Sequence, residues 1–277
     1  MKKSIVVMMA AIFALMAGLV TAPVVEAKES LVLQGSTTVL PITVLHAEEF
    51  MKRNPGTEIS VKGGGSGAGI KALVDGVIVM AQSSRSIAAK EIDAAKAKGI
   101  KVIEYIIAKD ALAVIVHPTN PVTNLTSAQI KDMYLGKTTN WKEVGGRDRR
   151  IVVISRDLAS GTFETFNDMI LKKEKLRPDA LLQASSAAVV GAVQHTEDAI
   201  GYVGMGYVGG RTEIKSLLVD GVDATAENLK ADKYPLGRPL FIYTAGEPKG
   251  LAKRFLDFMM SPDGQKIVEQ AKFVPVK

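Results

Sequence analysis

The chain has 277 residues, 47% of them hydrophobic and 23% charged, with a formal net charge of +6 at pH 7, which describes a globular protein with room for one large or two medium domains. No cysteine occurs, and this excludes a disulfide scaffold, a zinc-finger cysteine set and lipid attachment through an N-terminal cysteine. Mild basicity favours anionic ligands, but no Lys/Arg cluster is interleaved with aromatics and no His/Asp/Glu set has metal-ligand spacing; nucleic acid, metals and cofactors are therefore not expected.

Met1-Lys2-Lys3-Ser4, an apolar run over residues 5–20 and the small-residue end Val25-Glu26-Ala27 have the three parts of a secretory signal peptide. Cleavage after Ala27 would start the mature chain at Lys28, outside the cytoplasm. Pro23 and the Val-x-Ala end argue against the alternative, a retained membrane anchor.

From there the sequence alternates strand and helix, the pattern of an α/β protein with mainly parallel sheets. Residues 31–34 form a strand that ends in Gly35-Ser36-Thr37-Thr38, followed by a helix with Pro41 near its start and Leu40, Val44, Ala47 and Met51 on one face. The alternating run 58–62 leads into glycines 63, 64, 65, 67 and 69 around Ser66, and then into a helix from Ile70. A strand over 77–81 leads to Gln82-Ser83-Ser84-Arg85-Ser86, and Gly99 ends the helix 88–98. Two further strands, 101–107 and 111–116, are expected to be separated by Lys109-Asp110. A capped helix over 125–134 is stopped by Gly136.

Strand 151–155 leads through Arg156 to Ser160-Gly161-Thr162 and a helix carrying Phe163, Phe166 and Ile170 on one face. A short helix is expected over 179–183, then a Ser185-Ser186 turn and a helix through Val193. The tetrad Gly-Tyr-Val-Gly occurs at 201 and again at 206, too close for a solenoid period. Residues 240–243 form one more strand. Two helices close the chain, the last opened by Ser261-Pro262.

The recurrence of strand, hydroxyl-and-glycine turn and helix is the informative feature. Glycine lets a backbone approach a ligand closely, and the first turn of a helix leaves N–H groups unpaired and positively polarised, so such turns suit an anion. The candidate donors are Ser36, Thr37, Thr38, Ser66, Gly67, Ser84, Ser160, Gly161 and Thr162, with Arg156 as the one well-placed guanidinium. Arginine's planar fork matches a tetrahedral oxyanion and keeps its charge when buried.

Gly35–Thr38, the glycine-rich turn 63–69, the long segment 126–145, Ser155-Arg156-Asp157 through Phe166, Ala199–Val203 and 261–268 together resemble the phosphate-binding components of bacterial phosphate ABC importers, in order and over nearly the whole mature chain. The resemblance implies a two-lobed α/β clamp of the type II periplasmic-binding-protein kind, each lobe a mainly parallel sheet flanked by helices, with lobes of residues 28–112 plus 239–277 and of 113–238. It also implies a periplasmic, monomeric protein that takes inorganic phosphate in the cleft and delivers it to permease subunits in the membrane. Ligand donors would be Thr37, Thr38, Ser66, Arg156, Ser160, Gly161 and Thr162. Two positions depart from the family pattern. Ser84 stands where many members have an aspartate, and Leu158 where an acidic residue often supports the arginine, with Asp157 adjacent.

Other readings share parts of this pattern. A general oxyanion receptor of the sulfate type, or a phosphate sensor or adhesion protein, would use the same donors. A serine hydrolase would use Ser66, because Gly64-Gly65-Ser66-Gly67-Ala68 approaches a nucleophile elbow, but it lacks the final glycine, and His46, His117 and His195 carry no triad spacing. The Walker and dinucleotide glycine patterns both fail over residues 65–71.

Overall fold

The computed structural model describes residues 28–276; the leader segment 1–27 and its expected cleavage point lie outside the described residues. Among these, no helix is long and apolar enough to cross a membrane. Strand β1 (Glu29–Gly35) runs parallel to β2 (Thr57–Gly64) on one side and β3 (Met80–Ser83) on the other. Helix α1 (Leu40–Arg53) follows β1, α2 (Ser66–Val74) follows β2 and α3 (Ala89–Ala97) follows β3. Parallel pairing puts the carboxyl ends of all three strands on one edge of the sheet, the edge at which open α/β sheets bind ligands.

Two strands carry the chain into and out of a second lobe. Strand β11 (Gly237–Ala245) pairs antiparallel with β3 and with the first part of β4 (Val102–Val116) as far as Ala111, while Leu112–Val116 pairs antiparallel with β8 (Ala199–Gly204). Beyond β8 lie the parallel strands β6 (Val152–Arg156) and β7 (Leu181–Gln183). The order is β2-β1-β3-β11-β4-β8-β6-β7. Each turn-bearing block is thus parallel, and the antiparallel pairings fall at the crossing. The second lobe is completed by α4 (Ser127–Leu135), α5 (Gly161–Phe166) with a π-helical turn Asn167–Leu171, α6 (Ser186–Gln194) and α7 (Ala226–Lys230), with short strands β5 (Asn124–Leu125), β9 (Lys215–Ser216) and β10 (Leu218–Val219). Thr126 caps α4 in a reciprocal box with Gln129, and Gly136, at φ +80°, ends it as the sequence predicts. Helices α8 (Gly250–Met260) and α9 (Pro262–Gln270) return to pack on the first lobe.

Three local expectations are corrected. Lys109-Asp110 does not break the strand: β4 is continuous for 15 residues, and Asp110 is wholly buried because Arg238 of β11 meets it, with Nε donating to Oδ2 at 2.8 Å while the Met205 N–H donates to Oδ1 at 2.9 Å. Residues 181–183 form an edge strand in register with β6, not a helix. The open edge of β6 offers hydrogen bonds at once, whereas a one-turn helix bears the full cost of nucleation. Helix α1 buries Ile42, Thr43, His46, Ala47 and Phe50, so of the expected face only Ala47 is fully buried. Contacts with α8 and α9 set that face: the Phe50 ring centroid lies 5.4 Å from that of Phe255, and His46 Nε2–H donates to the Gly264 carbonyl at 2.8 Å.

Candidate anion site

Every turn at the carboxyl edge of the first lobe points toward α5 and α6 of the second. Ser36 braces the turn that leads into α1, its Oγ accepting the Thr38 and Val39 N–H groups at 3.1 and 3.4 Å, which leaves Thr37 and Thr38 directed into the cleft. Gly64 and Gly65, at φ +112° and +93°, reverse the chain in a region that disfavours side chains, and so deliver Ser66 as the first residue of α2. Ser84 follows β3, and its N–H donates to Ser66 Oγ at 3.1 Å. From the other side, Ser160 caps α5 by accepting the Phe163 N–H at 3.2 Å. Gly161 and Thr162 therefore occupy the first two helical positions, whose N–H groups have no partner within a helix.

The result is a continuous chain of six hydroxyls across the two lobes. Thr37 Oγ1 lies 3.4 Å from Ser186 Oγ, which lies 3.3 Å from Thr38 Oγ1; Thr38 Oγ1 lies 2.7 Å from Thr162 Oγ1, Thr162 3.4 Å from Ser84 Oγ, and Ser84 3.4 Å from Ser66 Oγ. Arg156 reaches this chain from the end of β6. Its Nη1 donates to Ser186 Oγ at 3.3 Å, Nε to the Gln183 carbonyl at 2.9 Å and Nη2 to the Ala184 carbonyl at 3.2 Å. It is 2% exposed and forms no ion pair with a carboxylate among the described residues, and burial pulls its pKa below the usual arginine value. A guanidinium still holds its proton there, so the site keeps a desolvated positive charge facing hydroxyls.

Buried tyrosines brace the arrangement. Tyr207 donates to the Thr37 carbonyl at 2.6 Å, and Tyr202 lies 2.8 Å from Ser155 Oγ. Burial pushes both phenols up to about 12, so they stay neutral donors. Gln82 at the end of β3 ties the first-lobe turns together: its Nε2 donates to the Ser36 and Lys62 carbonyls at 3.1 and 3.3 Å, while Oε1 accepts from Thr43 at 2.6 Å. The approach of the lobes also depends on missing side chains. A Cβ at Gly161 would stand 2.3 Å from Ser66 Oγ, and one at Gly65 would stand 2.4 Å from the Ala159 carbonyl oxygen.

A PBP superfamily domain matches residues 21–263. A phosphate-binding protein PstS of Bacillus subtilis is 33% identical over 252 residues, which are 91% of this chain and 82% of the relative. The chain belongs to the PstS family of that superfamily. Among solved structures, a Clostridium perfringens substrate-binding protein assigned to phosphate ABC transport and solved with bound phosphate superposes with a TM-score of 0.84 at 38% identity, over 90% of this chain and all of the other. An ABC-type phosphate transport receptor of Vibrio cholerae gives 0.71 at 31%, over 88% and 99%.

Within this PstS-family chain the expected donors divide by role. Thr37, Thr38, Ser66, Ser84 and Thr162 belong to the hydroxyl chain. Ser36 acts through the turn before α1 that it braces, and Ser160 through the helix start that it caps. The Gly67 N–H donates to the Ala159 carbonyl at 3.0 Å, so Gly67 joins the two lobes and is not a free donor. Asp157 Oδ1 accepts the Ala159 N–H at 2.9 Å. Its carboxylate thus shapes the turn before α5. Leu158 is exposed. Ser186, which the expected donors omit, joins the hydroxyl chain and Arg156, and the Ser185-Ser186 helix start carries the same sequence signal as the other turns.

As for chemistry, hydroxyls, helix-start N–H groups and one guanidinium supply many donors to a compact oxyanion, and a hydroxyl oxygen also accepts, so a protonated oxyanion finds a place for its own O–H. Ser66 has Ser84 as its hydrogen-bond partner, and none of the three histidines bonds to it: His46 is held by Gly264 and His117 lies 2.8 Å from Thr119 Oγ1. Among the described residues no group of His, Asp and Glu could hold a metal ion.

Proposed function

We propose that this protein captures inorganic phosphate between its two lobes, outside the cytoplasm, and delivers it to the membrane subunits of an ABC importer. The observation that carries the reading is Arg156. A guanidinium taken out of water without a carboxylate is costly, and it is stabilised when an anion arrives with hydroxyls to satisfy the remaining oxygens. Thr37, Thr38, Ser66 and Ser84 serve the anion from the first lobe, and Arg156, Gly161, Thr162 and Ser186 from the second. The lobes are residues 28–112 with 239–277 and residues 113–238; the change of β4 from pairing with β11 to pairing with β8, between Ala111 and Leu112, supports that division. Removal of a leader after Ala27 and action as a monomer complete the proposal.

Titration calorimetry with phosphate tests it. Saturable binding by the wild type that collapses in Arg156→Ala and partly survives in Arg156→Lys is expected. Absence of phosphate binding by the wild type refutes the reading. The oxyanion-receptor alternative has one observation in its favour, since among the described residues no carboxylate joins the hydroxyl chain to repel sulfate, and competition between the two anions separates them.

A further inference from the structure

Outside the hydroxyl chain, at the rim of the cleft, Arg85 stands between two carboxylates on different lobes. Its Nη1 and Nη2 donate to Oε2 and Oε1 of Glu91 on α3 at 2.7 and 2.8 Å, a bidentate pairing within the first lobe. Its Nε lies 2.8 Å from Oε2 of Glu164 on α5 of the second lobe, within ion-pair range although the carboxylate sits off the N–H axis. The guanidinium is nearly buried, 9% exposed, and Glu164 is 37% exposed. Glu91 is itself fixed, because it also accepts the Ala88 N–H at the start of α3. The arginine packs over the glycines that border the hydroxyl chain: its Cγ would lie 3.0 Å from a Cβ at Gly161 and its Nη2 3.8 Å from one at Gly67. Beside it, Thr165 Oγ1 donates to the Ser84 carbonyl at 3.3 Å, a second bond between the same two elements.

We infer that Arg85 and Glu164 form an interlobe clasp whose task is to set how long a captured anion stays. This rests on the phosphate reading given above. Glu91 belongs to the same lobe as Arg85 and keeps its pairing whether the lobes meet or part, so it holds the guanidinium oriented and reduces the side-chain entropy lost in reaching Glu164. Glu164 is the partner that separation takes away. Its contact exists only with the lobes together, and an interaction present only in that arrangement shifts the equilibrium by its differential energy and slows opening. Neither carboxylate belongs to the hydroxyl chain, so the clasp acts on retention through lobe position and leaves the donors themselves unchanged. Arg85 and Glu164 are positioning residues in this sense.

The test is stopped-flow release of phosphate from the full mature protein, together with small-angle scattering of the ligand-free forms. Glu164→Gln is expected to raise the release rate about fivefold, since one partly screened ion pair is of the order of 1 kcal/mol. Its association rate and unfolding midpoint should stay near wild type. Glu164→Lys, which sets two cations face to face, should release faster still. Added salt should speed release from the wild type and leave the Gln variant nearly unchanged. Wild-type release from both variants overturns the clasp. If the wild type binds no phosphate, the functional reading fails by itself, and the ligand-free radius of gyration then decides: expansion in Glu164→Lys supports the clasp and superimposable curves refute it.

Discussion

Arg156 and Arg238 are both almost wholly removed from water, at 2% and 6% exposure, but the protein treats the two charges in opposite ways. Arg238 lies at the crossing between lobes with Asp110 against it and the Ser84 carbonyl accepting from Nη1 at 3.3 Å. Arg156 lies at the cleft bonded to two carbonyls and a hydroxyl, and among the described residues no carboxylate pairs with it, the charge of the adjacent Asp157 acting on it without an ion-pair contact. Burial pushes the Asp110 carboxyl up, with Arg238 and the Met205 N–H pulling it back, so that crossing is electrostatically closed on itself. The cleft is not. A buried cation that the chain has matched is scaffold, whereas one left without an ion-pair partner is the charge that the proposed anion would match.

The sharpest way to break this comparison is to remove each charge and ask what is lost. Arg156→Ala should weaken phosphate binding by about 3–5 kcal/mol, roughly two to four orders of magnitude in Kd, with the lysine variant in between. Its ligand-free unfolding midpoint should not fall, because the wild-type side chain is a burden to the empty fold. Calorimetry and denaturant unfolding read both quantities. Asp110→Ala should do the reverse: leaving Arg238 buried and unmatched should cost about 3 kcal/mol of stability in denaturant titration, with a smaller effect on affinity. A variant pair showing the opposite pattern would dissolve the distinction.

A third buried group handles the same problem by not charging at all. His46 is pushed down from 6.5 to about 4 by burial, against the hydrogen bond to Gly264. A depressed folded-state value means that the unfolded chain takes up the proton more readily, so stability is lost as pH falls from 6.5 toward about 4. The loss should reach about 2 kcal/mol near pH 5. His46→Gln, which retains an N–H for Gly264, should flatten that part of the stability curve. An acid limb identical in the two proteins would place the titration elsewhere.

The smallest expected effect concerns selectivity. Phosphate should outcompete sulfate near neutral pH, since its remaining proton finds a hydroxyl acceptor, and Ser84→Asp should sharpen the preference by about tenfold because an ionised carboxylate only accepts. Competition calorimetry across pH decides. Loss of all binding in Ser84→Asp would mean that Thr162 and Ser66, each 3.4 Å from the Ser84 hydroxyl, leave a carboxylate no room.

The turns of both lobes were legible in the sequence because each is local: a strand, a hydroxyl or glycine, and a helix start follow one another within a few residues. What was hidden depended on distant partners. Asp110 reads as a strand break until Arg238, on β11, is placed beside it. Leu181–Gln183 is too short to carry a period and takes its conformation from the edge of β6. Ser186 and Gly67 acquire their roles when the lobes meet, the one by approaching Thr37 and Thr38, the other by bonding to Ala159.

The Gln82 amide has a consequence for the timing of capture. By bonding to the Ser36 and Lys62 carbonyls and to Thr43 at once, it holds two of the donor turns in register with β3 and α1. The first-lobe half of the cradle is therefore preorganised. On the phosphate reading proposed above, an arriving anion would have few loops to order there, and the entropy lost on binding would fall on a rigid-body approach of the second lobe. Encounter should then be governed by diffusion to a finished half-site, with slower accommodation confined to the meeting of the lobes.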